Sequence, residues 1–170
     1  MRKMNDILNL LKSRRSIRKY RNQPVEEEKI QKCLEAARWA PSASNKQPWE
    51  FIIVKDEQTR KKLSDIHPYA KFVAESPVVL VPLTNPEVHP KYHMSDTALA
   101  TLQYMIEAHS LGLGTCWAGV IDSSIEPEIK KLLEIPQHLK VLALVATGYA
   151  EEQPSKTRKP IEDLAHYERY

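Results

Sequence analysis

The sequence predicts an α+β fold, a modest sheet with helices packed on it. Three observations carry this. Three segments have the apolar, β-branched make-up of strands, and the last, LKVLALVATGY at 139–149, is apolar without a break, as a buried central strand would be. Helical periodicity covers clearly more of the chain than strand character does. With 170 residues, 42% hydrophobic and 28% charged, and with no internal repeat or low-complexity tract, the chain suits one domain over 1–170 whose core needs no disulfides.

The elements follow in order. Asp6 to Leu11 form a short helix. Residues 26–39, EEEKIQKCLEAARW, form a second, with Ile30, Cys33, Leu34 and Ala37 on one face and three Glu in the first turn, where the helix dipole favours them. Pro41 ends it, and APSASNKQP at 40–48 is a loop. WEFIIVK at 49–55 is a strand. Residues 57–66 are helical with Leu63 and Ile66 inward, and PVVLVPL at 77–83 is the second strand. The longest helix spans 95–111, with Ala98, Leu102, Met105, Ile106 and His109 sharing a face. LGLGTCWAGV then turns into a short extended piece, Gly112 or Gly114 supplying a left-handed cap. A short helix covers 125–134. Residues 150–170, polar and proline-bearing, form an extended C-terminal segment. The order of the strands is not legible.

Several function classes drop out. Cys33 and Cys116 lie far apart with apolar neighbours, so they form neither a disulfide framework nor a Cys-x-x-Cys site. No run approaches a membrane span and the N-terminal apolar stretch is too short for a signal peptide, which points to a cytoplasmic protein and no membrane partner. His89 and His93 have metal-ligand spacing, but Pro90 lies between them and no Cys or Glu motif accompanies them, so no metal is expected. His109 reads as a core or interface histidine, Trp39 and Trp49 as packing anchors around the 40–48 loop, and Cys116 as a small buried hydrophobe rather than a nucleophile.

Charge is concentrated in one place. Arg14, Arg15, Arg18, Lys19 and Arg21 put five positive charges into eight positions, in a chain of net charge +3. Three readings compete: a solvated basic surface, a nucleic-acid arm, or a discrete phosphate site. The remainder of the chain carries no nucleic-acid motif. Arg14 and Arg18 share a side whether the segment is helical or extended, and in the extended case Ser16 joins them. Two guanidinium forks and a hydroxyl can hold a phosphate dianion. A second basic knot, PSKTRKP at 154–160, is kept extended by its prolines, so that Lys156 and Arg158 point to one face.

Four stretches in order, RRSIRKY (14–20), APSASNKQPWEFIIV (40–54), EAHSLGLGTCWAGV (107–120) and SKTRKP (155–160), resemble the FMN-dependent nitroreductase family over nearly the whole chain. The resemblance implies a nitroreductase-like homodimer, a central and mainly antiparallel sheet flanked by helices, with FMN at the subunit interface. It implies that Arg14, Arg15 and Ser16 hold the ribityl phosphate and its neighbourhood, completed by Lys156 and Arg158. Arg18 reaches the pyrimidine edge of the flavin. Pro41, Ser42 and Ala43 line the ring from the other subunit, and Asn45 and Gln47 belong to the same motif. Cys116, Trp117, Ala118 and Gly119 run along the flavin, with a backbone N–H near Ala118 facing its N5.

The chemistry implied is ping-pong reduction: NADH or NADPH delivers hydride to the flavin and leaves, and a small conjugated acceptor such as a nitroaromatic or quinone follows. No catalytic side chain is needed, because the flavin does the redox work. A fixed cation such as Arg18 stabilises the reduced, anionic ring. GLG at 112–114 is no dinucleotide fingerprint, which fits a nicotinamide recognised over the flavin. The chain is short between Leu83 and Ser95, where larger relatives build cover, so Tyr69, Tyr92 and Trp117 are candidates to line an open pocket. Sibling activities are a flavin reductase or a reductive dehalogenase; the non-enzymatic alternative is a basic-patch binding protein.

Overall fold

The structure, a computed structural model, describes residues 5–170. Helices α1 (Asn5–Ser13) and α2 (Glu27–Arg38) precede a 3-10 turn (Ala43–Asn45) and strand β1 (Trp49–Val54). Helices α3 (Glu57–Ile66) and α4 (Phe72–Glu75) lead to β2 (Val78–Thr84). Then come α5 (His93–Ser110), β3 (Gly114–Gly119), α6 (Glu126–Leu132), β4 (Lys140–Val141) and β5 (Ala143–Gly148), and a last 3-10 turn at Ile161–Asp163. The strands pair antiparallel in the order β1-β2-β5-β3, with β4 beside β2. No helix among the described residues is long and apolar enough to cross a membrane.

Side-chain alternation divides the core between the two faces of the sheet. On one face Val79, Val81, Cys116, Leu144 and Ala146 meet Leu63 of α3, Val73 of α4 and Ile129 of α6. On the other Val78, Leu80, Ala143 and Val145 meet Ile30, Cys33 and Ala37 of α2 and Ala100, Tyr104 and Ala108 of α5. The predicted inner face of α2 is therefore the observed one, with Leu34 partly buried beside it. Asp56 caps α3, its carboxylate accepting from Thr59 N at 2.8 Å.

Three expectations are corrected. The run 139–149 is interior, but it is not one strand. Leu80 pairs with Val145 and Leu83 with Val141, so two residues of β2 face three of the opposing chain. The cause is Pro82, whose carbonyl accepts from Leu142 N at 2.9 Å but which has no N–H to return. The freed Leu142 carbonyl takes Val120 N (3.1 Å) and Ile121 N (3.3 Å) instead, and so anchors the chain where β3 ends.

The buried stripe of α5 is rotated from the predicted one. It comprises Ala100, Thr101, Tyr104, Met105 and Ala108, and Leu102 is 44% exposed. This helix is apolar on two sides, and the small Ala/Thr side is the one that lets α2 approach closely. The helix also begins at His93, whose ring lies on Thr84 Oγ1 (3.0 Å). Trp39 is no packing anchor: it is 72% exposed, its indole N–H donating to Glu35 and its ring under Arg38, whereas Trp49 does pack on the core. The short α4 had no counterpart in the sequence reading.

Candidate cofactor site

The basic window leaves α1 and runs extended along the outer edge of β3. Ser16 bridges Thr115 in parallel, and Ile17 N donates to Thr115 O at 2.9 Å. Gly114 makes this approach possible: a Cβ there would stand 2.6 Å from Ile17 Cγ1. Further on, Tyr20 pairs with Ala150, and Arg21 N donates to Tyr149 O at 2.9 Å. The window therefore joins the sheet edge to the C-terminal segment. Its extended path puts Arg14, Ser16 and Arg18 on one side, as the alternation requires, and all three act on the Cys116 thiol. Burial nonetheless wins and raises that thiol above its usual range, so Cys116 is a neutral, buried group. Lys19 and Arg21 are exposed.

Cations converge where α1 ends. Arg14 is half-buried, and burial first, then the charges of Arg158 and Arg15, hold it below the usual guanidinium range. Arg15 donates to Lys12 O (2.5 Å), Arg14 O (2.8 Å) and, across the chain, Lys156 O (3.4 Å). A cavity of about 410 Å³ opens between Leu11, Lys12, Arg15 and Arg158. Arg14 Nη1 and Arg15 Nε are buried without a hydrogen-bond partner among the described residues. Buried donors of this kind cost about 1–3 kcal/mol each when left unpaired, more when charged. Three guanidiniums that repel one another around unfilled donors form a site shaped for a dianion, and the phosphate of FMN fits that donor set.

Beyond Thr115 no strand among the described residues pairs with the outer edge of β3. Val120 points to Leu142 and Thr115 to Ile17, so alternation turns residues 115, 117 and 119 outward and 116 and 118 into the ladder with β5. Trp117 and Gly119 thus present their N–H groups to the outer edge, on either side of the Ala118 position expected to face a flavin. The Gly119 carbonyl is held by His67, 3.0 Å away. Tyr69 N donates to His67 Nδ1 (3.3 Å), which fixes the ring proton on Nε2, donating to Gly119. Arg18 extends over the Phe72 ring at 5.9 Å, exposed on the same flank.

One expected group is elsewhere. Pro41, Ser42, Ala43 and Asn45 lie in a tight loop with positive φ at Ser44, Asn45 and Gln47. Gln47 N donates to Ser42 Oγ (3.0 Å), and Ala43 N donates to the buried Asp96 carboxylate (3.1 Å). The cation cluster sits at the other end of the same helix, where His109 lies 2.8 Å from Ser13. Thirteen residues separate Asp96 from His109, about 20 Å along the axis. Within one chain the loop and the cluster do not meet. Tyr69 and Tyr92 are exposed, and Trp117 packs on the α2/α5 face of the sheet. His67 and Glu152 were not singled out in the sequence; Glu152 accepts from Arg18 N (2.5 Å) and Lys19 N (3.2 Å). Both act on backbone groups remote in sequence, which leaves no local signal.

Known proteins share this arrangement of elements. A model of the nitroreductase family matches residues 11–67 and 66–149. A protein of Methanothermobacter thermautotrophicus, provisionally named NADH dehydrogenase/NAD(P)H nitroreductase, is 35% identical over 169 residues, covering 97% of this chain and 88% of its own. The FMN reductase (NAD(P)H) of Bacillus subtilis is 29% identical over 188 residues, covering 98% of this chain and 75% of its own. The solved FMN-dependent nitroreductase of Clostridium difficile R20291 superposes with a TM-score of 0.89 at 30% identity, covering 96% of this chain and 99% of its own. With the family model spanning residues 11–149, a relative 35% identical over 97% of the chain and a solved structure superposing at a TM-score of 0.89, the chain belongs to the nitroreductase family.

Proposed function

We propose that this protein is an FMN-dependent oxidoreductase that uses NADH or NADPH to reduce small conjugated acceptors, nitroaromatics or quinones among them, in a ping-pong cycle. The observation that carries the reading is the cluster of Arg14, Arg15 and Arg158 with buried N–H groups that no atom of the described residues satisfies. FMN, when bound, supplies the hydride-accepting centre. The chain's own residues bind and orient. Arg14, Arg15, Lys156 and Arg158 hold the phosphate, with Ser16 beside them. The outward N–H groups of Trp117 and Gly119 offer donors along the ring, and Arg18 offers a cation at its pyrimidine edge. The neutral Cys116 shapes the floor and moves no proton.

The active form is a homodimer in this reading, because Pro41, Ser42, Ala43 and Asn45 reach a cation cluster only from a second copy. Exposed Ile7, Leu8 and Leu11 on α1 and Leu99 and Leu102 on α5 support it, as these two helices pack together and leave apolar side chains outward. The two distant free cysteines suit the cytoplasm, the compartment proposed.

Purified protein is expected to carry a yellow chromophore that denaturation releases as FMN, to bleach with NADH or NADPH, and to recolour with a quinone. Arg14→Ala with Lys156→Ala should weaken FMN binding at least a hundredfold with the fold intact, since each charge-assisted bond contributes roughly 1.5–3 kcal/mol. Protein that takes up no FMN overturns the reading. Leu99→Glu with Leu102→Glu should give a monomer by light scattering; a persisting dimer refutes the interface.

A further inference from the structure

We infer that Glu152 is a positioning residue for the phosphate site: it latches the C-terminal arm onto the basic window and so sets Lys156 and Arg158 beside Arg14 and Arg15. The inference rests on the FMN reading above. Residues 149–152 run antiparallel to 18–21, with Arg21 N on Tyr149 O (2.9 Å), the Tyr20–Ala150 bridge and Glu151 N on Lys19 O (3.0 Å). This ladder is only a few residues long. Beyond it the arm is exposed and proline-bearing, and among the described contacts its return to the cluster rests on Arg15 Nη2 to Lys156 O at 3.4 Å. Glu152 closes the ladder. One carboxylate oxygen accepts two successive backbone N–H groups, Arg18 (2.5 Å) and Lys19 (3.2 Å), an arrangement that binds anions well. The side chain is half-buried and close enough to act on both Cys116 and Tyr20.

The role is geometric, because the charge of Glu152 works the other way. A carboxylate that accepts from Arg18 N and lines a cavity together with Arg15 disfavours a phosphate dianion nearby. Were its charge all that mattered, its removal would tighten FMN binding, and Ala and Gln would act alike. A latch gives the opposite order. Glu152→Ala frees the arm and loses phosphate affinity despite removing a negative charge. Glu152→Gln keeps an acceptor oxygen of the same reach and retains most of that affinity.

The test compares FMN with riboflavin, which lacks the phosphate, by fluorescence titration of apoprotein. Wild type should prefer FMN, and Arg14→Ala should cut that preference roughly ten- to a hundredfold. Glu152→Ala should weaken FMN ten- to a hundredfold and riboflavin less than threefold, speed proteolysis within 153–159, and be rescued to within about fivefold by Glu152→Gln. Glu152→Asp, one methylene short, should behave like Ala and serves if Ala does not fold. The latch is refuted if Glu152→Ala, or Asp in its place, binds FMN as tightly as wild type or tighter, or loses FMN and riboflavin equally. Wild type that binds neither flavin sinks the FMN reading itself, and the latch with it.

Discussion

Gly114→Ala tests whether the basic window is held by its close approach to β3. A Cβ at this position meets Ile17 Cγ1 at 2.6 Å, Cβ at 2.8 Å and Cγ2 at 3.1 Å. Carbon atoms sit comfortably at about 3.5–4.0 Å, so Ile17 has to withdraw by about 1 Å. The Ile17 N to Thr115 O bond, now 2.9 Å, would then be stretched past hydrogen-bonding distance. Overpacking of this kind costs roughly 1–3 kcal/mol, and the lost bond about 1 more. In a chain of this length each kcal/mol lowers Tm by about 2–4 °C, so a fall of about 5–15 °C is expected. Arg14, Ser16 and Arg18 move with Ile17, and FMN affinity should fall ten- to a hundredfold as charge-assisted bonds misalign. Scanning fluorimetry of apoprotein and FMN titration read the two effects. Ile17→Ala removes two of the three clashing atoms and alone should cost about 2–5 kcal/mol. Combined with Gly114→Ala it should cost clearly less than the sum. Strict additivity, or Gly114→Ala with unchanged Tm and FMN affinity, refutes the argument.

Two further expectations follow from residues at the site's margins. His67→Ala leaves the Gly119 carbonyl without its donor and unties the 67–70 turn, so the bound flavin's visible spectrum and midpoint potential should shift, with Gln restoring part of the wild-type value; an unchanged potential in the Ala variant would show that His67 does not set the edge. His109 titrates below its ordinary 6.5, burial being the larger cause and the charges of Arg14 and Arg15 the next. The folded apoprotein thus disfavours the imidazolium: the stability it contributes is complete above pH 6.5 and is lost as pH falls from there toward the depressed native value. A bound dianion offsets the two arginines, so NMR titration should find the His109 pKa higher with FMN or inorganic phosphate than without; an unmoved value would mean that the anion binds elsewhere.

The sequence was most informative where one local rule had no competitor. The inner face of α2 follows from a single stripe of Ile30, Cys33 and Ala37, and the interior place of β5 from an unbroken apolar run. It misled on α5, where Ala98, Leu102 and Ile106 make a second apolar stripe that composition cannot rank below Ala100, Tyr104 and Ala108. The break at Leu142 is set by Pro82, some sixty residues earlier and across the sheet, so nothing near 142 announces it. The site divides in the same way. The one-sided placement of Arg14, Ser16 and Arg18 follows from extended alternation alone. The meeting of Arg158 with Arg14 needs the whole fold, and the roles of Glu152 and His67 rest on backbone partners that carry no residue-specific mark.

A fold that buries Arg14 Nη1 and Arg15 Nε without partners among the described residues gives up stability in the absence of a ligand. That sacrifice is intelligible only if the geometry is set in advance of binding. Arg15 is held by three carbonyls, those of Lys12, Arg14 and Lys156, so its position does not wait for an anion. Binding energy is then not consumed in ordering long side chains, each of which would cost about 0.5–1.5 kcal/mol to immobilise. The missing stability should return when the dianion arrives. Ligand at a hundred times its Kd stabilises a protein by about 2.7 kcal/mol, here a rise in Tm of about 5–10 °C. Inorganic phosphate at high concentration should give part of that rise, and riboflavin at the same multiple of its own Kd should leave the His109 titration and the arginine cluster untouched. Stabilisation by riboflavin that also shifts His109 would mean that the ring, not the phosphate, organises this corner of the fold.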